Sequence, residues 1–163
     1  MSVSLEEASW LAAMLALENA TTDKVAFCQE YGICIAEDEW PSHHLPEAIL
    51  ADRGELEGYN ADNLVNALGI RVHNTPPYRG DLKGIVERHF RAANDELISD
   101  LPGRIRQFRD RGDPDYRLEA CLSLREFTKL LIYHALDYNA YHRMTGYPHD
   151  AEMIADRVEP YPL

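Results

Sequence analysis

With 163 residues, of which 45% are hydrophobic and 27% charged, the chain has the size of one domain. It is long enough to bury a core, and its composition is not that of a disordered segment. No apolar run approaches the roughly 20 residues of a membrane span, and the first residues lack the basic-then-apolar pattern of a leader. The net charge of −12 argues against a stand-alone DNA-binding module.

Met1 to about Glu7 reads as the tail of a strand or an entry loop. The run ASWLAAMLALENA, Ala8 to Ala20, is rich in helix formers and apolar nearly all round, which predicts a helix packed on a sheet. A second short helix is expected over Asp23–Tyr31, stopped by Gly32. EDEWPSHHLP is a loop punctuated by Pro41 and Pro46. Glu47–Asp52 reads as a short buried strand, followed by a turn at Arg53-Gly54. A helix over Asn60–Leu68, stopped by Gly69, leads into a second strand at Ile70–His73.

Pro76-Pro77 then breaks regular structure, and Asp81 is placed to cap a helix from Leu82 to about Ser99. At 100° per residue, Leu82, Val86, Phe90, Ala93 and Leu97 form its apolar stripe. Lys83, Glu87, Arg91 and Asn94 form the adjacent polar edge. Pro102-Gly103 stops this helix; RIRQFRDR reads as a helical basic segment and GDPDY as a loop. A long amphipathic helix is expected over Leu122–Arg143, with Leu124, Phe127, Leu131 and His134 at helical spacing. From Gly146 on, the prolines predict an extended tail. Two strands are too few for a stable sheet, so the fold needs further strands or begins partway.

Charge is distributed unevenly. Residues 1–70 hold 2 Lys and Arg against 13 Asp and Glu, whereas residues 71–125 hold 11 against 9. The basic window spans the predicted Glu87 helix and continues through Arg104, Arg106, Arg109 and Arg111. Arginines beside a carboxylate suit a phosphate-bearing substrate, although a solvated basic face explains them equally well. Asp52 alone reads as a turn former, and Glu87 alone as an ion-pair partner of Lys83 and Arg91. Together, 35 positions apart and joined by a Pro-Pro-Tyr-Arg-Gly turn, a strand-end and a helical carboxylate can converge on a hard divalent cation. His43-His44 lacks a third ligand at matching spacing and reads as structural or solvent-facing. Tyr138, Asn139, Tyr141 and His142 read as packing and capping at a helix end. Cys28, Cys34 and Cys121 read as buried reduced thiols. No phosphate-binding glycine loop, nucleophile elbow or zinc pattern is present.

The segments LADRGEL (Leu50–Leu56), LGIRVHNTPPYRGDLKGIVERHF (Leu68–Phe90) and LSLREFTKLLIYHALDYNAYHR (Leu122–Arg143) resemble the DDE transposases of the retroviral-integrase superfamily. Within that superfamily they are most similar to the TnsB-like large catalytic subunits of heteromeric cut-and-paste transposons. The resemblance implies a ribonuclease-H-like α/β core over residues 1–103, followed by a helical extension and extended tail over residues 104–163. It implies catalysis of DNA 3′-end cleavage and strand transfer by three acids and two Mg²⁺ (or Mn²⁺) ions. Asp52 matches the second acid and Glu87 the third, while Lys83, Arg79, Arg88 and Arg91, with Arg104 and Arg106, fall where DNA phosphates are contacted. The implied partners are transposon-end and target DNA, further copies of the protein in a transposition complex, an ATPase target-selection subunit and an endonuclease subunit, in the bacterial cytosol or nucleoid.

The first acid and its strand have no match ahead of Asp52, since neither Asp23 nor Asp38 ends an apolar strand. The chain therefore reads as truncated at both ends, poorly autonomous in folding and inactive alone. Two other readings stay open: a non-catalytic module that binds DNA or a transposase partner, and a nuclease of the same fold that cleaves without joining.

Overall fold

Polar caps open several of the helices, and the fold is built outward from them. The computed structural model describes residues 3, 5, 9–51, 56, 59–74, 84–105, 112, 115–147 and 149–162, in a helix-rich arrangement with one small sheet. The first helix, α1 (Trp10–Thr21), is capped by Ser9, whose hydroxyl accepts from the Ala12 N–H at 3.2 Å. Asp23 caps α2 (Lys24–Glu30) through the Ala26 N–H at 2.7 Å. That helix ends where Gly32, at φ +70°, lets the Ile33 N–H return to the Cys28 carbonyl at 3.0 Å. The Gly32 N–H reaches Gln29 at 2.9 Å, so the two bonds make a Schellman cap.

Lys24 joins these two helices. Only 3% exposed, it donates from Nζ to the carbonyls of Asn19 (2.8 Å), Ala20 (3.1 Å) and Thr22 (2.6 Å), which close the C-terminal end of α1. A cation there complements both the orphan carbonyls and the helix dipole. Trp40 returns from the loop to lie 5.8 Å from the same ammonium. Burial pushes the Lys24 ammonium below the usual lysine range, opposed by Cys28 and Asp23.

The predicted strands form a parallel pair, β1 (Ala48–Ala51) and β2 (Arg71–Asn74), in register Ile49 to Val72 and Leu50 to His73. Helix α3 (Tyr59–Leu68) connects them, and buried Leu64 and Ile70 bracket the Gly69 turn. The expected burial of Glu47–Asp52 is not observed. Leu50 is 51% exposed, because among the described residues β2 is the sole strand paired with β1 and no layer covers both faces. Asp52 and the Arg53-Gly54 turn lie outside the described residues.

Helix α4 (Gly84–Glu96) passes into a 3-10 turn at Ile98–Asp100. Its expected start at Leu82 and its Asp81 cap lie outside the described residues. Val86 and Phe90 of the predicted apolar stripe are 58% and 61% exposed; among its described residues only Ala93 is buried. Gly103, at φ +77°, sits against the backbone of Ala120, where a Cβ would come within 2.5 Å of Cα. Arg104 and Ile105 are not helical, contrary to the reading of RIRQFRDR, of which residues 106–111 lie outside the described residues. A short α5 (Tyr116–Glu119) begins after Asp115.

The long α6 (Leu124–Tyr141) opens with a capping box. Glu126 accepts from the Ser123 N–H at 2.8 Å and hydroxyl at 2.7 Å, while its own N–H donates back to the hydroxyl at 3.2 Å. Its buried face is Thr128, Leu131, Ile132 and Ala135, rotated from the predicted stripe so that Leu124 is 40% exposed. Ile132 meets Cys28 and Ile33 in the core, with Phe27, Tyr31, Ile35, Trp40 and Leu136 around them. Arg125 ties α6 to α2 by donating to the Glu30 carbonyl and lying 5.0 Å over the Tyr31 ring. Of the three cysteines only Cys28 is buried; Cys34 and Cys121 are exposed, contrary to expectation.

The tail is not simply extended. Asp150 caps α7 (Ala151–Ala155) through the Met153 N–H at 2.8 Å. The Met144 N–H to Pro160 carbonyl bond (2.7 Å) and the Arg143–Glu159 pair (3.3 Å) then fold the end of the chain back on α6.

Two outcomes follow from this architecture. Lys24→Met strips three bonds from the end of α1 and is expected to cost about 1–3 kcal/mol in urea unfolding; an unchanged midpoint would contradict the capping role. The Ser123 donors hold the Glu126 carboxyl below the usual carboxylate range. A depressed folded pKa gives stability that is present above the unfolded pKa and lost as pH falls through the folded one. Thermal stability should therefore decline with acidification more steeply in the parent chain than in Glu126→Gln; parallel profiles would show that the box contributes nothing.

Candidate active site

The strand-end carboxylate expected at Asp52 follows directly on Ala51, the last residue of β1. Asp52 itself, with Arg79, Lys83 and Arg106, lies outside the described residues. Glu87, Arg88, Arg91 and Arg104 are described, and the first three share α4. Glu87 stands in the first turn of that helix, where the dipole favours a carboxylate. It is exposed, as are Arg88 and Arg91. With Arg91 and Asn94 it sits at i, i+4 and i+7 on one solvent-facing edge, as the sequence pattern predicts. Arg104 is held loosely by Asp100 at 4.0 Å, and the Asp100 carboxyl is 90% exposed. Such a pair is worth little.

The opposite side of α4 makes its packing contacts. His89 and Glu96 meet α6, where His134, Tyr138 and His142 recur one turn apart, and Ala93 on the same side of α4 is buried. The His89 ring meets Tyr138 edge-on, with centroids 4.5 Å apart and planes at 89°. Tyr138 stacks on His142 at 4.2 Å and 10°. His134 Nδ1 lies 3.8 Å from a Glu96 carboxylate oxygen, and its Nε2 is buried with no hydrogen-bond partner among the described residues. Burial, and next the neighbouring His134 imidazole, draws His89 below the usual imidazole range. Burial likewise pushes the Tyr138 phenol up, so at neutral pH His89 is uncharged and Tyr138 keeps its proton.

This polar seam escaped the sequence pattern because Val86 and Phe90 are more apolar than His89 and Glu96 and drew the predicted face toward themselves. The cluster at Tyr138 and His142 read as packing, which it is. Counting back to His134 at helical spacing would have exposed the full seam.

Among the described residues no group of three or more His, Cys, Asp or Glu could hold a metal ion. The two loop imidazoles, His43 and His44, touch each other at 4.4 Å between centroids. Glu87 offers one exposed hard oxygen donor of the kind Mg²⁺ takes. A cavity of about 420 Å³ opens between α1, α2 and α6, lined by Phe27, Tyr31, Trp40 and Leu131 among others, with no residue of β1, β2 or α4. It is thus separate from the Glu87 edge. No helix among the described residues is long and apolar enough to cross a membrane.

One outcome tests the seam. Because Nε2 of His134 has no partner among the described residues, His134→Phe should leave unfolding free energy within about 1 kcal/mol or raise it, since replacing a buried polar group by an apolar one of similar shape is near neutral. A larger loss by urea titration would reveal a bond to that nitrogen.

Residues 1–103 match the family model described as the TnsB C-terminal domain. Over 156 residues the chain is 40% identical to the transposon Tn7 transposition protein TnsB of Escherichia coli; the match covers 94% of this chain and 22% of that relative. The chain thus spans less than a quarter of the length of the curated relative it matches.

Proposed function

This chain belongs to the TnsB family of transposition proteins, and from that premise we propose that it is the Asp52–Glu87 portion of a DNA strand-transferase core. The observation that carries the proposal is the placement of Glu87: an exposed carboxylate in the first turn of α4, on the edge turned away from α6, after a parallel β1–α3–β2 unit whose first strand runs directly into Asp52. Such a unit is compatible with a ribonuclease-H-like core to which further strands add, and the open face at Leu50 leaves room for them.

On this reading Asp52 and Glu87 hold two of the ligand positions for a pair of Mg²⁺ ions, with a further acid supplied from sequence ahead of this segment. When bound, the ions polarise the scissile phosphate and favour the deprotonated attacking oxygen. Arg88 and Arg91, with Arg79 and Lys83, contact neighbouring phosphates and set the strand in place. In the first step a water oxygen attacks the phosphorus at the transposon end, and the bond from phosphorus to the transposon's own 3′ oxygen breaks. That oxygen takes up a proton to give a free transposon 3′-hydroxyl, the phosphate staying on the 5′ end of the flanking strand. In the second step that hydroxyl attacks a target phosphodiester and expels the target 3′ oxygen, which takes up a proton. One phosphoester is exchanged for another, so no energy source is required.

The whole protein also requires transposon-end and target DNA and further copies of itself; ATPase and endonuclease subunits belong to the same proposal. The acidic first 70 residues, at 2 basic against 13 acidic side chains, favour a DNA path along the α4 edge rather than over α1 and α2.

In a full-length TnsB-like protein carrying this segment, Glu87→Gln is expected to lower both end cleavage and strand transfer by about 10²–10³-fold or more, the scale of losing one electrostatic stabiliser. DNA binding should be retained. Arg91→Ala should weaken binding uniformly across sequences and reduce the salt slope by about 1. Persistent strand transfer in Glu87→Gln would refute the assignment. Hydrolysis of a precleaved end without joining would identify a nuclease instead.

A further inference from the structure

Helix α4 displays Glu87 on one side and takes its hold on the other. At about 100° per residue, His89 lies roughly 160° around the axis from Glu87. The flank between them provides no anchor among the described residues, since Val86 and Phe90 are 58% and 61% exposed. Ala93, although buried, is too small to resist rotation. The Glu96–His134 contact, at 3.8 Å with the carboxylate 58% exposed, is loose. Among the described side chains the closest hold is the perpendicular contact of His89 with Tyr138 at 4.5 Å, beside a more distant, tilted approach of the same ring to His134 at 6.4 Å. Tyr138 is itself braced by His142, stacked at 4.2 Å, so the ring that meets α4 is backed by a second one.

We propose that Tyr138 is a positioning residue for the Glu87 carboxylate: pressed on His89 and braced by His142, it sets the rotation of α4 and thereby where Glu87 points. The proposal rests on Glu87 being a metal ligand and deepens that reading by adding a residue 51 positions away in sequence. A carboxylate stands about 6 Å from a helix axis, so a 10° rotation moves it about 1 Å. Metal ligands hold their distances to within about 0.2 Å. A 1 Å misplacement set up away from the chemistry can cost about 10²-fold in rate. Tyr138 touches neither substrate nor metal in this scheme; it acts through His89.

The test uses a full-length TnsB-like protein carrying this segment, a precleaved transposon end and target DNA, with Mg²⁺ and Mn²⁺ compared. Tyr138→Leu is expected to lower the strand-transfer kcat about 10–100-fold in Mg²⁺ with KM for DNA unchanged. The defect should shrink in Mn²⁺, because Mg²⁺ demands the more nearly ideal octahedral site. Tyr138→Phe, which keeps the ring, should recover most of the rate. If Tyr138→Leu loses cooperative melting, His89→Leu removes the same contact from the other side and carries the comparison. An unimpaired Tyr138→Leu beside an inactive Glu87→Gln overturns the positioning role alone. A defect equal in both ions and proportional to lost thermal stability overturns it too, leaving Tyr138 a stability residue. Activity in Glu87→Gln removes the ligand reading itself, and the proposal with it.

Discussion

The contact of α4 with α6 is the constraint on which the candidate site depends. For Glu87 to serve as a ligand α4 would need a fixed rotation, and the helix has little aliphatic burial to supply one: Ala93 is its one buried hydrophobic among the described side chains. An imidazole set edge-on to a phenol ring supplies directional contact in its place. The long α6 is able to provide that surface because its other end is anchored. Its Thr128–Leu131–Ile132–Ala135 face packs toward the Cys28–Ile33 core, Arg125 engages the end of α2, and the Ser123–Glu126 box fixes its start. The chain of dependence runs from the α1–α2 corner, closed by Lys24, through α6 to α4, and finally to Glu87.

Charge separates the molecule along the same line. The acidic side chains concentrate in the segment that forms α1, α2 and β1, and the net-positive stretch begins at β2 and includes α4. A polyanion approaching such a surface is repelled from the first segment and admitted at the second. The net charge of −12 is therefore compatible with a DNA-facing edge, provided that other parts of a longer protein supply most of the affinity.

Much of the fold is legible in the sequence because the signals are local. Ser9, Asp23 and Ser123 cap helices where they stand, and Gly32 and Gly69 end them. The apolar run Ala48–Ala51 marks the first strand, and the alternating stretch after Gly69 marks the second. What is not legible depends on distant partners. The burial of Lys24 requires the end of α1 and the return of Trp40. The packed side of α4 meets Tyr138 from a helix 40 residues on, and the apolarity of Val86 and Phe90 points the other way. The exposure of Leu50 reflects which strands lie beside β1, and the turn-back of the tail rests on Asp150, Glu159 and Pro160 acting together. For the candidate site, spacing and turn composition single out Glu87, which the fold places on an accessible edge; residue type alone does not separate a ligand from a solvated ion-pair partner.

The account stands on Asp52 and Glu87 sharing one pair of divalent ions. The most direct measurement is affinity cleavage: Fe²⁺ is loaded into a full-length TnsB-like protein carrying this segment, and ascorbate and peroxide generate hydroxyl radicals at the bound ion. The account predicts backbone cuts clustered beside Asp52 and beside Glu87 in the same molecule, competed by Mg²⁺ and lost together in Glu87→Gln. Cuts beside only one of the two acids, or cuts that persist in Glu87→Gln, would contradict it.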